Sequence, residues 1–289
     1  MADVRPFRGV RFNTPVAGDL SDLLCPPFDV ISPEQQGTLY ARSPYNVVRL
    51  ELSKEEPGDT QGNDRYTRAA ATQAQWLEEG VLKRDESPAM YMIEETFELA
   101  GRQHKRRGLL AAVRLEEFDK GVVLPHEYTR PGPKLDRLAL MRAARSNYSP
   151  LMGLYRDSDG SIHKALESVA GEAPAESASP PELPSVKIWP ISDGALLSAI
   201  SDALSDAQIY LADGHHRYET AITYRNEARR ERGVGPEDAV NFRMMSLMSI
   251  EDPGLLLLGY HRAIADATDE ELSRFNDYVR RAFDLEEWS

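Results

Sequence analysis

Ile209-Tyr210-Leu211-Ala212-Asp213-Gly214-His215-His216-Arg217-Tyr218-Glu219-Thr220-Ala221 is the stretch whose reading decides the fold. Apolar residues with strand propensity run into Ala-Asp-Gly. From His215 to Arg230 the pattern turns helical, with Tyr218, Ala221, Ile222 and Arg225 on one face. The segment reads as strand, tight turn, helix. Asp213 is a good N-cap type, Gly214 permits close backbone approach, and the unpaired first-turn amides of such a helix make a seat for an anion. His215 and His216 point about 100° apart on the helix, and Arg217 adds a planar fork suited to carboxylate or phosphate. The helix dipole disfavours imidazolium there, so neutral histidine is expected. The plainer alternative is a capping Asp213, a histidine bonded to a carbonyl and Arg217 paired with a surface acid. The density of polar groups straight after a buried-type strand favours a ligand site, because open sheets bind ligands at such places.

The rest of the chain sets bounds. Its 289 residues, 41% hydrophobic and 28% charged, are enough for a well-buried core. A net charge of −13 and a pI near 5.0 argue against a nucleic-acid surface. A single cysteine, Cys25, leaves no internal disulfide and fits a reducing, cytoplasmic setting. The N-terminus carries no apolar core segment, and the later apolar runs, Leu255 to Leu258 among them, are too short to span a bilayer, so no membrane role is expected.

Outward from the central stretch, strands and helices alternate, which predicts an α/β protein with a mixed sheet. Val4 to Val16 reads as extended and Ser32-Pro33-Glu34 opens a helix through Leu39. Tyr45 to Leu52 alternates as a strand with Arg49 and Glu51 on one face, and Asp64 to Glu79 is a helix. Residues 89–99 and 104–113 read as a hairpin turning at Gly101-Arg102, with the basic run from Arg102 to Arg107 on a solvated arm. Leu138 to Arg145 is a helix, Leu151 to Tyr155 a strand and Ser161 to Val169 a helix. Residues 171–185, rich in Pro, Ala, Glu and Ser, read as a connector between an N-terminal lobe, 1–170, and a second lobe, 186–289. In that second lobe Val186 to Trp189 is a strand and Gly194 to Leu204 a helix. Met244 to Ile250 and Leu255 to Tyr260 are strands about an Asp252-Pro253-Gly254 turn, and a helix follows from Glu270 to Ala282. The ending at Ser289 looks abrupt, as if the second lobe were truncated.

Leu124 to Arg137 is the second chemically dense stretch. It lacks periodicity, holds three prolines, and carries His126, Glu127, Thr129, Arg130, Lys134, Asp136 and Arg137 as a loop that presents side chains. Glu127 suits a general base and His126 its proton partner or an acid, while Lys134 and Arg137 suit the charge of phosphate oxygens. Asp29, after Pro26-Pro27, either contacts a ligand or fixes a turn. Asp213 with His215 or His216, helped by Glu219, could seat a divalent ion, but adjacent helical histidines diverge and the metal stays undefined. There is no Walker-type loop, G-x-G-x-x-G after a strand, or G-x-S-x-G.

Pro26-Pro27-Phe28-Asp29-Val30-Ile31-Ser32, Asn46 to Leu50, His126-Glu127 with Lys134 and Asp136-Arg137, Ser149-Pro150, Ala212 to Ala221 and Asp252-Pro253-Gly254 together resemble the family called domain of unknown function 1015. Its members usually run longer. More distantly, Asp213 to Arg217 is similar to the signature loop of the ParB/sulfiredoxin-like superfamily, which includes nucleotide-binding partition proteins and free-serine kinases. That resemblance implies ParB/sulfiredoxin-like elements and phosphate or nucleotide binding at Asp213 to Arg217. It further implies phosphoryl transfer to or from a small hydroxyl metabolite of the serine or phosphoserine type, with ATP or ADP and Mg²⁺ as partners. The expected roles are Glu127 or Asp213 to deprotonate or orient the hydroxyl, His126, His215 or His216 to move the proton, and Gly214, Arg217, Lys134, Arg137 and Asp29 to hold substrate or phosphate. The alternatives are a nucleotide-binding regulator or scaffold without turnover, and a metal-dependent phosphomonoester hydrolase.

Overall fold

Residues 1–129, 131–259 and 265–286 are described by a computed structural model. Among them the strands are β1 (Val4–Arg5), β2 (Val10–Phe12), β3 (Leu82–Arg84), β4 (Met90–Leu99), β5 (Arg102–Arg114), β6 (Val123–Leu124), β7 (Leu151–Tyr155), β8 (Glu176–Ala178), β9 (Ser185–Ile191), β10 (Ile209–Asp213) and β11 (Phe242–Ser249). The helices are α1 (Thr14–Ala17), α2 (Leu20–Leu23), α3 (Pro33–Arg42), α4 (Val48–Glu51), α5 (Arg65–Glu78), α6 (Pro131–Ala144), α7 (Ser161–Ala170), α8 (Gly194–Ser205), α9 (His215–Arg232) and α10 (Asp269–Ala282).

One mixed sheet runs β6-β10-β7-β11-β5-β4-β9-β8, and β1 adds beside β5. Its spine is the β4–β5 hairpin, where Ala100 and Gly101 both take positive φ, as a tight hairpin turn requires. The register sets Glu94 opposite Arg107 and Glu95 opposite Arg106, at 3.0 and 2.6 Å. Part of the basic run is thus tied across the hairpin instead of standing free in solvent. β5 outlasts its partner, so β1 pairs with it at Ala112 and Val113. Two pairs run parallel, β6 with β10 and β7 with β11. The sheet's apolar residues join Ile162, Leu166, Ile200, Leu204, Tyr218 and Ala221 in one core, while Leu23, Leu50, Trp76 and Val81 anchor a second.

β10 and α9 form the expected strand, turn and helix, and Tyr218, Ala221, Ile222 and Arg225 are all buried. Tyr218 Oη donates to Glu116 O at 2.7 Å and Arg225 Nη1 to Leu115 O at 2.6 Å, binding the helix to the loop that leads into β6. The cap differs from expectation. Gly214 is the N-cap with φ +92°, and Asp213 ends the strand with its carboxylate on Arg217. A Cβ at Gly214 would lie 2.6 Å from Leu151 Cδ2, so close approach is what the glycine supplies.

Several other expectations are corrected. Tyr45 to Leu52 is not a strand but the single turn α4, because buried Asn46 accepts from Val48 N at 3.0 Å and donates to Asp22 O and Leu24 O. Arg49 and Glu51 therefore diverge, the first lying over Tyr40 and the second bonding Arg137. Val4 to Val16 breaks into β1, β2 and the start of α1. α6 begins at Pro131 and not at Leu138, since prolines in a first turn forfeit no intrahelical bond, so Lys134, Asp136 and Arg137 stand on a helix. Within the Pro-rich stretch 171–185, β8 pairs with β9, and the sheet draws strands from both sides of it. Leu255 to Gly259 forms no strand, with Leu257 and Leu258 exposed, while Tyr260, His261 and Arg262 lie outside the described residues.

The chain divides into one unit at 1–255 and another at 256–289, the latter carrying α10 behind a Thr268–Glu271 capping box. Among the described residues no helix is long and apolar enough to cross a membrane. In the first unit the 252–254 turn is pinned to β5. Asp252 accepts from Arg107 N at 3.3 Å and from Gly254 N at 2.8 Å, and a Cβ at Gly254 would fall 1.7 Å from Lys105 O. Backbone cannot yield as a side chain can. Gly254→Ala is expected to cost more than about 3 kcal/mol in urea unfolding, and a loss within experimental error would show that the turn does not need this contact.

Candidate functional site

Parallel pairing of β6 with β10 sends both strands out of the same edge of the sheet, Ile209 against Val123 and Tyr210 against Leu124. The chain leaving β6 is Pro125-His126-Glu127, and the chain leaving β10 is Gly214-His215. Carboxyl ends of neighbouring parallel strands are where open α/β sheets collect ligand groups. The register also shifts between Leu211 and Asp213, an irregularity of the kind that re-aims side chains at strand ends. The two chemically dense stretches of the sequence therefore meet.

The contact is specific. His126 N donates to His215 Nε2 at 3.2 Å, and the two rings stand edge to face at 4.4 Å. His126 Nδ1 lies 2.8 Å from Leu211 O, so it carries the proton and leaves Nε2 with a bare lone pair. His215 is only 1% exposed, and burial pushes its pKa below the ordinary 6.5, a shift that Glu127 opposes. Neutral His215 with an accepting Nε2 must hold its proton on Nδ1, which lies 3.2 Å from Glu127 Oε1 but off the line of a good hydrogen bond. His126 and Glu127 are exposed, so the cluster opens to solvent on their side.

His126, Glu127 and His215 bring ligand atoms within 4.8 Å of one another, a set whose residue types suit a divalent metal. The hydrogen bonds qualify this. His126 Nε2 and the Glu127 carboxylate are free to coordinate, whereas His215 would have to give up its Nδ1 proton while Nε2 stays engaged. Asp213, whose charge also acts on His215, is the nearby second carboxylate. Mg²⁺ prefers such oxygens to imidazole.

The other expected residues fall in two groups. Lys134 Nζ reaches Glu219 at 2.7 Å and Thr129 Oγ1 at 3.0 Å, while Thr129 also donates to Glu219, so the 124–137 segment is tied to the first turns of α9 a second time. His216 stands in that first turn, half-buried. Arg217 and Arg137 are buried, Arg217 with its guanidinium against the Gly214 turn, where a Cβ would stand 3.1 Å from its Nη2. Arg217 bonds Pro150 O and Asp213, and Arg137 bonds Glu51 and Asp136 with its guanidinium 3.8 Å over the Phe28 ring. Asp29 sits exposed in a short turn, Phe28–Val30. Sequence reasoning missed Arg243 and the Leu211 carbonyl. A lone charge in the apolar run Phe242 to Met248 was the signal for the first; a backbone acceptor leaves none.

Fold and cluster together define a mixed α/β protein with a histidine–glutamate centre at the ends of two parallel strands. Residues 4–288 match the family model described as "Protein of unknown function (DUF1015)", and the chain belongs to that family. No curated protein and no solved structure matches it significantly.

Because the folded state holds His215 below 6.5 and the unfolded chain does not, unfolding takes up a proton as pH drops below that value. Stability from this group is whole above pH 6.5 and is lost as pH falls toward the folded pKa. The wild type should lose more unfolding free energy between about pH 7 and 5 than His215→Gln, which keeps an acceptor for His126 N and does not titrate. Parallel stability–pH curves for the two proteins would show that His215 titrates as it does in the unfolded chain.

Proposed function

We propose that this protein is a phosphotransferase-like enzyme acting on a small hydroxyl or phosphorylated metabolite, with the phosphoryl group held where α9 begins. The observation that carries the proposal is the His126 N to His215 Nε2 bond, which brings the Glu127 segment onto the Gly214 turn. Glu127, exposed and beside the His215 Nδ1 proton, takes the proton of the attacking hydroxyl. The lone pair of His126 Nε2 then takes that proton from Glu127 and passes it to the leaving oxygen, so the hydroxyl proton ends on the leaving group. His215 Nε2 is held by the His126 backbone and its Nδ1–H faces Glu127 without a good hydrogen bond, so His215 is assigned a positioning role and not proton transfer. Lys134 can exchange Glu219 for phosphate oxygens, and the first-turn amides of α9 add the helix dipole.

The likeness of Asp213-Gly214-His215-His216-Arg217 to the ParB/sulfiredoxin-like signature loop supports a nucleotide as phosphoryl donor or acceptor and serine or phosphoserine as its counterpart. When bound, Mg²⁺ would supply charge neutralisation at the phosphates, and Asp213 is the carboxylate that would hold it while Glu127 stays free as base. A second reading, metal-dependent hydrolysis of a phosphomonoester, draws support from the donor set of His126, Glu127 and His215.

Glu127→Gln should lower phosphoryl transfer between nucleotide and serine about 10²–10⁴-fold with an unchanged circular dichroism spectrum. Transfer at the wild-type rate would remove Glu127 as base. Calorimetry with ATP, ADP and CTP beside the same product assay separates the readings. Nucleotide binding without phosphate movement marks a regulator, and phosphate release without nucleotide marks a hydrolase.

A further inference from the structure

Arg137 and Arg217, expected at the phosphate, instead meet at a second place. Together with Arg243 of β11 and Glu51 of α4 they line a cavity between α6, the loop into β7, and the start of α9, with room for about one water-sized sphere. Arg243 is 4% exposed. Its Nη1 donates to Asn147 Oδ1 and its Nη2 to Ser149 O at 3.0 Å, but its Nε, fully buried, has no partner. No ion pair to Arg243 forms among the described residues, and both of its acceptors are neutral.

The residues that line the cavity are net cationic. Three guanidinium groups face it against one carboxylate. That carboxylate is committed, since Glu51 Oε1 accepts from Arg137 Nη1 at 3.2 Å and from Ser149 Oγ at 2.7 Å. Asp136 and Asp213 answer Arg137 and Arg217 from outside the lining, while Glu51 acts on Arg243 through its charge but forms no ion pair with it. Burial, then the charge of Arg217, pulls the Arg243 pKa down to about 9 against the opposing charge of Glu51, still protonated at neutral pH. A buried guanidinium N–H without an acceptor is unfavourable, and an anion among three guanidinium groups would satisfy the Nε–H with a charge-assisted bond that water does not supply.

We propose that the cavity between Arg137, Arg217 and Arg243 is a binding site for a small inorganic anion, of halide size in the conformation described, held by the unpartnered Arg243 Nε–H. This site is separate from the His126–Glu127 cluster and does not depend on the proposed phosphoryl chemistry. Because Arg217 belongs to the first turn of α9, the anion ties that turn to β11.

The test is thermal unfolding of the full chain in sodium bromide and in sodium isethionate, too bulky for the cavity, at equal ionic strength, with formate and phosphate as further arms. Bromide should raise the Tm by about 2–4 °C over isethionate. Arg243→Gln should lose this difference. Where that variant does not fold, Arg243→Lys, which keeps the charge but not the Nε donor, should need at least tenfold more bromide for half the effect. Anomalous diffraction from bromide-soaked crystals should place a peak within hydrogen-bond distance of Arg243 Nε. Equal Tm in bromide and isethionate, an undiminished difference in the variants, or a cavity holding only water overturns the proposal. A response to formate or phosphate but not to bromide overturns the halide-sized ligand.

Discussion

Everything at the candidate site depends on two short strands lying side by side in the same direction. β6 contributes only Val123 and Leu124 to its pairing with β10, yet parallel alignment decides that both chains leave the sheet at one edge. An antiparallel pairing of the same residues would have sent Pro125 and Gly214 to opposite ends. Two hydrogen-bonded positions are a weak anchor alone. The arrangement is held by what flanks it: Ile209 N on Val122 O, Tyr218 on Glu116, Arg225 on Leu115, and His126 on both His215 and Leu211. α9 thus grips the chain on both sides of β6, and the catalytic proposal inherits its geometry from that grip.

A chain with net charge −13 buries several of its arginines, and the wiring of each explains how. Arg225 spends its guanidinium on Leu115 O and Glu117; Arg217 answers Pro150 O and Asp213; Arg137 answers Glu51 and Asp136 with Phe28 against its face. A guanidinium fork loses less than an ammonium when it exchanges water for a carbonyl and a carboxylate together, which is why arginine and not lysine fills these positions. Arg243 breaks the pattern, with neutral acceptors alone.

The central strand, turn and helix were legible because β10 and α9 obey local rules: an apolar run, a glycine that can adopt positive φ, and an apolar face at helical spacing. The hairpin, α5 and α8 were legible for the same reason. Tyr45 to Leu52 was not, because alternation over a few residues cannot reveal that Asn46 will be buried and will bond the chain at Val48, Asp22 and Leu24. The start of α6 was hidden by prolines, which read as loop but are equally at home in a first helical turn. At the site, the sequence supplied the residues and not their orientation. Arg137 and Arg217 look like phosphate ligands by type, and only packing shows that they turn inward.

The tautomers at the cluster are set by two backbone groups, one for each histidine. Leu211 O fixes the proton on His126 Nδ1, and the backbone N–H of the same residue occupies His215 Nε2, which leaves the His215 proton on Nδ1 facing Glu127. The polarity of His215 cannot be reversed without breaking the backbone bond to its Nε2. A centre holding metal through both histidines would need the opposite polarity at His215, with its lone pair and not its proton turned to the shared space. Of the three ligand-bearing side chains, His215 is therefore the one whose backbone bond opposes coordination, while His126 Nε2 and the Glu127 carboxylate stay open to the shared space.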